Sequence, residues 1–136
     1  MKKIAVTTFL FCSALFFAQK SLSYIKISYG SICCGTPSTK PVMDYLKKFE
    51  KTNQLGTFEV LKQGGMGREG EFNLYIGTNK LGKKQKKMFA KGLQSIITSQ
   101  NKARKQDSDG TVDFDPAVTV YQSDLTGIKN LTIYKK

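Results

Sequence analysis

Two stretches of period 3.6 are set apart by short runs of period two, and that order leaves the chain few folds to choose from. The first helical stripe runs from Pro41 to Gln54, with Val42, Tyr45, Leu46 and Phe49 at i, i+3, i+4 and i+7. The second runs from Lys83 to about Arg104, with Met88, Phe89, Leu93, Ile96 and Ile97 on one side. A strand pattern precedes the first helix at residues 24–29 (YIKISY), where Ile25, Ile27 and Tyr29 share a face. Two more lie between the helices: Thr57 to Lys62, with Phe58 and Val60 inward, and Glu71 to Gly77, with Phe72, Leu74 and Ile76 inward. Ala117 to Tyr121 and Ile128 to Tyr134 read as two further strands, joined around Ser123 to Gly127.

The punctuation agrees with these limits. Ser38 or Thr39 can cap the first helix, Pro41 suits its first turn, and Gly56 can close its end. Four glycines in Gln63 to Gly70 (QGGMGREG) fit a hairpin connection. The polar, acidic stretch Gln106 to Pro116 (QDSDGTVDFDP) reads as a loop. The expected fold is therefore α+β: a ferredoxin-like split βαβ (βαββαβ plus an extra C-terminal strand), an antiparallel sheet with two helices on one face. Elements that alternate up and down put three connections at one end of the sheet. These are the CCGTPS turn after strand 1, the glycine hairpin, and the acidic loop after helix 2.

The N-terminus supplies an address. A cationic Met1-Lys2-Lys3 is followed by an apolar run from Ile4 to Ala18, shorter than the roughly 20 residues of a membrane-spanning helix, and then by polar Gln19-Lys20-Ser21. Residues 1–19 are expected to be a signal peptide and residues 20–136 a single α+β domain, secreted or periplasmic, with no transmembrane segment in the mature chain. About 117 residues then remain, enough for one modest core.

The formal net charge of +12 favours anionic partners. Lys83, Lys84, Lys86, Lys87 and Lys91 surround the second helix, and an anionic surface or an acidic protein suits them. The simpler reading is that exposed helix positions commonly take lysine. Export makes nucleic acid an unlikely partner, and the acidic REGEFNLYIG strand lacks the basic platform of RNA-binding sheets. Histidine is absent, so Ser-His-Asp triads, Cys-His pairs and imidazole metal sites are excluded. Binding is expected rather than catalysis; Glu69 and Glu71 are the one carboxylate pair that suggests an enzyme.

The candidate site is built from Cys33, Cys34, Met66, Arg68 and Glu69. Cys33 and Cys34 stand side by side in YGSICCGTPS and can pair only by closing a strained eight-membered ring. Otherwise they stay as thiols, bind a metal, bridge to other chains, or simply pack a turn. No cofactor is expected by default. A soft ion such as Cu(I) is the exception, with Cys33 and Cys34 as thiolates and Met66 as a thioether. The glycine loop can cradle an anion with Arg68, or be a plain hairpin carrying an Arg-Glu pair. Asp107, Asp109, Asp113 and Asp115 suggest Ca²⁺. An EF-hand alignment on Gly110 puts Lys105 and Pro116 at the terminal ligand positions, so a solvated loop is preferred.

In position, the GSICCG loop resembles the metal loop of the heavy-metal-associated domains of copper chaperones and pumps. The resemblance covers topology and this loop, and it implies soft-metal binding through Cys33 and Cys34. That family places two residues between its cysteines, and here there are none.

Overall fold

The computed structural model describes residues 21–134, so the expected leader lies outside the described residues. The elements are β1 (Ser23–Tyr29), α1 (Lys40–Thr52), β2 (Val60–Gln63), β3 (Phe72–Gly77), α2 (Lys83–Ala103), β4 (Val112–Phe114), β5 (Val120–Tyr121), α3 (Gln122–Leu125) and β6 (Leu131–Ile133). The fold is α+β, with an antiparallel sheet of six strands and two main helices. The order is β4-β1-β3-β2-β6, with β5 also pairing β1. This order differs from the expected one: β4 is a sixth strand where five were expected, and it takes the place beside β1, with β5 pairing β1 as well.

Alternation decides which residues reach the core. Ile27 and Tyr29 of β1, Val60 of β2, and Phe72, Leu74 and Ile76 of β3 meet Val42, Met43, Leu46 and Phe49 of α1 and Phe89, Leu93 and Ile97 of α2. Phe89 is the hub of this cluster: its ring centroid lies 5.0 Å from those of both Phe49 and Phe58. The reverse face is not left bare. Tyr24 and Tyr75 pack there with Leu125 of α3, flanked by Leu61, Val120 and Ile128. Covering both faces explains why all six residues of β3, the strand between β1 and β2, are buried.

Two sequence expectations need correction. The segment 106–116 is not wholly a loop, because Val112 to Phe114 pair with Ile27 to Tyr29 as β4. Val112 is buried and Phe114 partly so, but four aspartates in the same stretch hide this short alternation. Conversely, the strand expected over 117–121 shrinks to Val120 and Tyr121. Five residues, 115–119, stand opposite only Ile25 and Lys26 and arch away from β1.

The helix ends differ in detail as well. Thr39 is the N-cap residue of α1, while the Ser38 hydroxyl accepts the Lys40 N–H at 3.1 Å. Closure at the far end falls to Gln54, which takes a φ of 52°, and not to Gly56. No helix among the described residues is long and apolar enough to cross a membrane.

Candidate functional site

Strand register brings the three connections to one end of the sheet. Tyr29, the last residue of β1, stands opposite Phe72 on one side and Val112 on the other. Gln63, the last residue of β2, stands opposite Asn73. The turn after β1, the β2–β3 hairpin and the connection from α2 to β4 therefore leave the sheet together.

Two of these connections dock directly. Gly30 donates its N–H to the Thr111 carbonyl at 2.9 Å and accepts the Thr111 N–H at 3.2 Å, extending the β1–β4 ladder by one pair. Next to that pair the backbones press so close that a Cβ on Gly110 would lie 1.9 Å from the Gly30 carbonyl oxygen. Only glycine fits there, and the reason is space, since Gly110 is not among the glycines of positive φ.

The last turn of α2 holds the second loop in place. The Asn101 side chain donates through Nδ2 to the Val112 carbonyl at 2.8 Å and accepts the Val112 N–H on Oδ1 at 3.0 Å, so the outer side of β4 is paired to an amide instead of a strand. Arg104 donates from one guanidinium nitrogen to the carbonyls of Gln106 and Asp109, both at 3.2 Å. The Asp109 carboxylate closes the turn by accepting the Lys105 N–H at 2.7 Å and the Ser108 hydroxyl at 3.2 Å. The Lys105 N–H is the first cause holding Asp109 below the usual carboxylate range, and burial opposes it.

Between the two docked loops lies a cleft of about 460 Å³. One wall is Cys34 to Ser38, and the other comes from Gln100, Arg104, Ser108 and Asp109. Gln100 crosses between them, donating Nε2 to the Ser38 carbonyl at 2.7 Å, while its buried Oε1 has no donor among the described residues. At the rim, Cys33 and Cys34 are joined in a disulfide, and both residues are exposed. Joined in this way, the sulfurs offer no thiolate to a soft ion; only the reduced form presents that donor pair. No group of three or more His, Cys, Asp or Glu residues among the described residues could hold a metal ion.

The hairpin residues lie at the same end but belong to a different neighbourhood. Met66, Arg68 and Glu69 are exposed. The base of the hairpin is tied to the turn before β6, with the Gly64 N–H on the Asn130 carbonyl at 3.2 Å. Glu71 turns back to accept the Glu69 N–H at 2.9 Å, and Arg68 forms no ion pair among the described residues. The expected anion cradle is thus partly filled by the loop's own carboxylate. Asp115 likewise accepts the Ala117 N–H at 2.8 Å, so Asp109 and Asp115 act as turn caps.

Comparison with known proteins adds no relative. No family model matches this chain, and neither the curated proteins nor the solved structures return a match.

Sequence reasoning brought the CC turn and the acidic loop to one end and missed the helical part of the opposite wall. Gln100, Asn101 and Arg104 read as the polar end of a helix. A weak signal was present in Asn101, a poor helix former held inside the last turn. Gly110 was a second, placed among aspartates where a solvated turn would tolerate almost any residue.

Proposed function

We propose that this protein is a small exported binding module whose ligand sits in the cleft between the disulfide loop and the α2–β4 loop. The observation that carries the reading is the cleft itself: two loops locked backbone to backbone, a polarizable disulfide at the rim, and a buried amide oxygen with no donor in the wall. Gln100 lines the cleft, and Arg104 and Asp109 offer charge of both signs nearby. Met66, Arg68 and Glu69, on the neighbouring hairpin, extend the surface for a ligand larger than the cleft. Export is supported by the sequence pattern of residues 1–19, and binding without turnover by the lack of any histidine. The neighbours β4-β1-β3-β2 support reading the central strands, with α1 and α2, as a ferredoxin-like split βαβ to which β5 and β6 were added.

The test is a ligand-observed NMR screen of small polar acids, amides and sugars against the wild-type protein and a cleft-filling Thr36→Trp variant. Binders that are lost in Thr36→Trp and weakened in Gln100→Ala support the reading. A screen whose binders all persist in a folded Thr36→Trp protein sinks it.

Exposure of the paired sulfurs favours a second reading, a thiol-redox protein that in its reduced state takes a soft ion such as Cu(I). Intact mass after reductant and alkylation, with and without Cu(I) in competition, decides it. Reversible two-electron cycling together with retained Cu(I) supports the reading. Inert sulfurs remove the whole of it, and cycling without metal retention removes its metal half.

A further inference from the structure

The arch of residues 115–119 leaves a hollow that is unrelated to the cleft and carries its own chemistry. Because five residues span a gap that two would fill, the chain swings away from β1 and uncovers Ile25. The hollow so formed, of about 580 Å³, is floored by Tyr24 and Ile25 and walled by Pro116 and Val118 on the arch and by Ala90 on α2. Val118 is 48 % exposed. Around this apolar lining stand Lys86, Lys87 and Lys91, with no aspartate or glutamate among the lining residues. Lys86 is held in position, half-buried, donating through Nζ to the Ser23 hydroxyl at 3.1 Å.

An apolar trough bordered on one side by three cations selects for a molecule of the same division. We propose that the hollow between α2 and the 115–119 arch binds a single-chain amphipathic anion, with its hydrocarbon against Ile25, Ala90 and Val118 and its carboxylate or phosphate among Lys86, Lys87 and Lys91. The volume falls within the ~300–1,000 Å³ that takes a small organic ligand. Concave cationic surfaces concentrate anions more strongly than flat ones, because the low-dielectric walls focus the field. The lysines expected to face an anionic partner thereby acquire a reason for their position: three of the five border this hollow.

Chemical-shift titration of the ¹⁵N-labelled protein tests the proposal with octanoate, 1-octanol and acetate as probes. Octanoate is expected to shift the amides of Ile25, Ala90 and Val118 saturably, with 1-octanol and acetate at least about fivefold weaker. Each lysine contributes roughly a 1.4- to 5-fold preference for the anion, taking the value for exposed ion pairs. The variant Lys86→Gln/Lys87→Gln/Lys91→Gln should therefore weaken octanoate about tenfold and leave 1-octanol unchanged. Val118→Trp, on the exposed arch where folding is not at stake, should block both. Acetate binding as tightly as octanoate would mean only a lysine-rich surface and overturns the proposal, as does an octanoate affinity that the triple variant leaves intact. Vesicles containing phosphatidylglycerol form the second arm. Sedimentation with vesicles that leaves Ile25 and Val118 unshifted, in a protein that ignores octanoate, also overturns it.

Discussion

Replacing Gly110 by alanine attacks the contact on which the cleft depends. The added Cβ would sit 1.9 Å from the Gly30 carbonyl oxygen and 2.9 Å from both the Gly30 carbonyl carbon and the Pro37 ring. Real Cβ contacts stay beyond 3.0 Å, so the two loops must part by about 1 Å or more. The hydrogen bonds beside this contact, at 2.9 and 3.2 Å, cannot survive such a separation, since a donor–acceptor distance beyond about 3.5 Å is no longer a bond. Losing both costs about 1–3 kcal/mol, and crowding adds about 1–3 kcal/mol where the structure does not relax. A total of about 2–6 kcal/mol corresponds, at about 4 °C per kcal/mol for a domain of this size, to a fall in Tm of about 8–24 °C. Urea and thermal unfolding followed by far-UV circular dichroism measure the loss, and amide exchange at Gly30 and Thr111 locates it. Gly127→Ala is the control: a Cβ there meets nothing within 4 Å, and stability should stay within about 0.5 kcal/mol of wild type. A Gly110→Ala protein melting within about 2 °C of wild type, with unchanged exchange at Gly30, would refute the reasoning.

Tyr29 is 1 % exposed and its hydroxyl has no partner among the described residues, so Tyr29→Phe should be neutral or stabilising by up to about 1 kcal/mol in urea melts at pH 7. Burial is the main cause raising the Tyr29 pKa well above its ordinary 10.0. The folded state thus keeps a proton that the unfolded chain loses. Its contribution is full below pH 10 and declines above it by about 1.4 kcal/mol per pH unit, a slope that Tyr29→Phe should reduce in alkaline unfolding curves. Cys33→Ser/Cys34→Ser should change stability by no more than about 1 kcal/mol, because a bridge between neighbours closes almost no loop; a calorimetric Tm more than about 6 °C lower contradicts this. Asn101→Ala strips both partners from Val112 and should cost about 1–3 kcal/mol, with faster amide exchange at Val112 and throughout 105–111. Leu93→Ala, a fully buried truncation in α2, should cost about 2–5 kcal/mol in the same melts.

The long periodic elements were legible in the sequence because each repeats its pattern over several turns. Val42, Leu46 and Phe49 in α1 and Phe89, Leu93 and Ile97 in α2 face the sheet as their spacing requires. Parity did the rest for the rim: strands that alternate direction bring the CC turn, the hairpin and the α2–β4 connection to one end, whatever their detailed shapes. What escaped was short or tertiary. Val112 and Phe114 make a strand of three residues between aspartates, too brief for a period to be seen. Backbone positions then decide which connections touch. The missing side chain of Gly110 lets one loop reach Gly30, while the Gly64 N–H ties the hairpin to Asn130 and away from the sulfurs. Neither preference appears in hydrophobicity, so the hairpin residues Met66, Arg68 and Glu69 read as partners of Cys33 and Cys34 without any direct bond joining them.

The Asn101 amide has one further effect, on how copies of the molecule can meet. By occupying both main-chain groups of Val112, it removes the rung on which another molecule's strand would start to add, and it does so without the lysine or proline that many proteins use for the purpose. At the other flank β6 has no such guard among the described residues: it pairs only with β2, and Ile133 stands 78 % exposed. Strand addition is therefore obstructed at Val112 on the β4 flank, while the β6 edge has no comparable obstruction among the described residues.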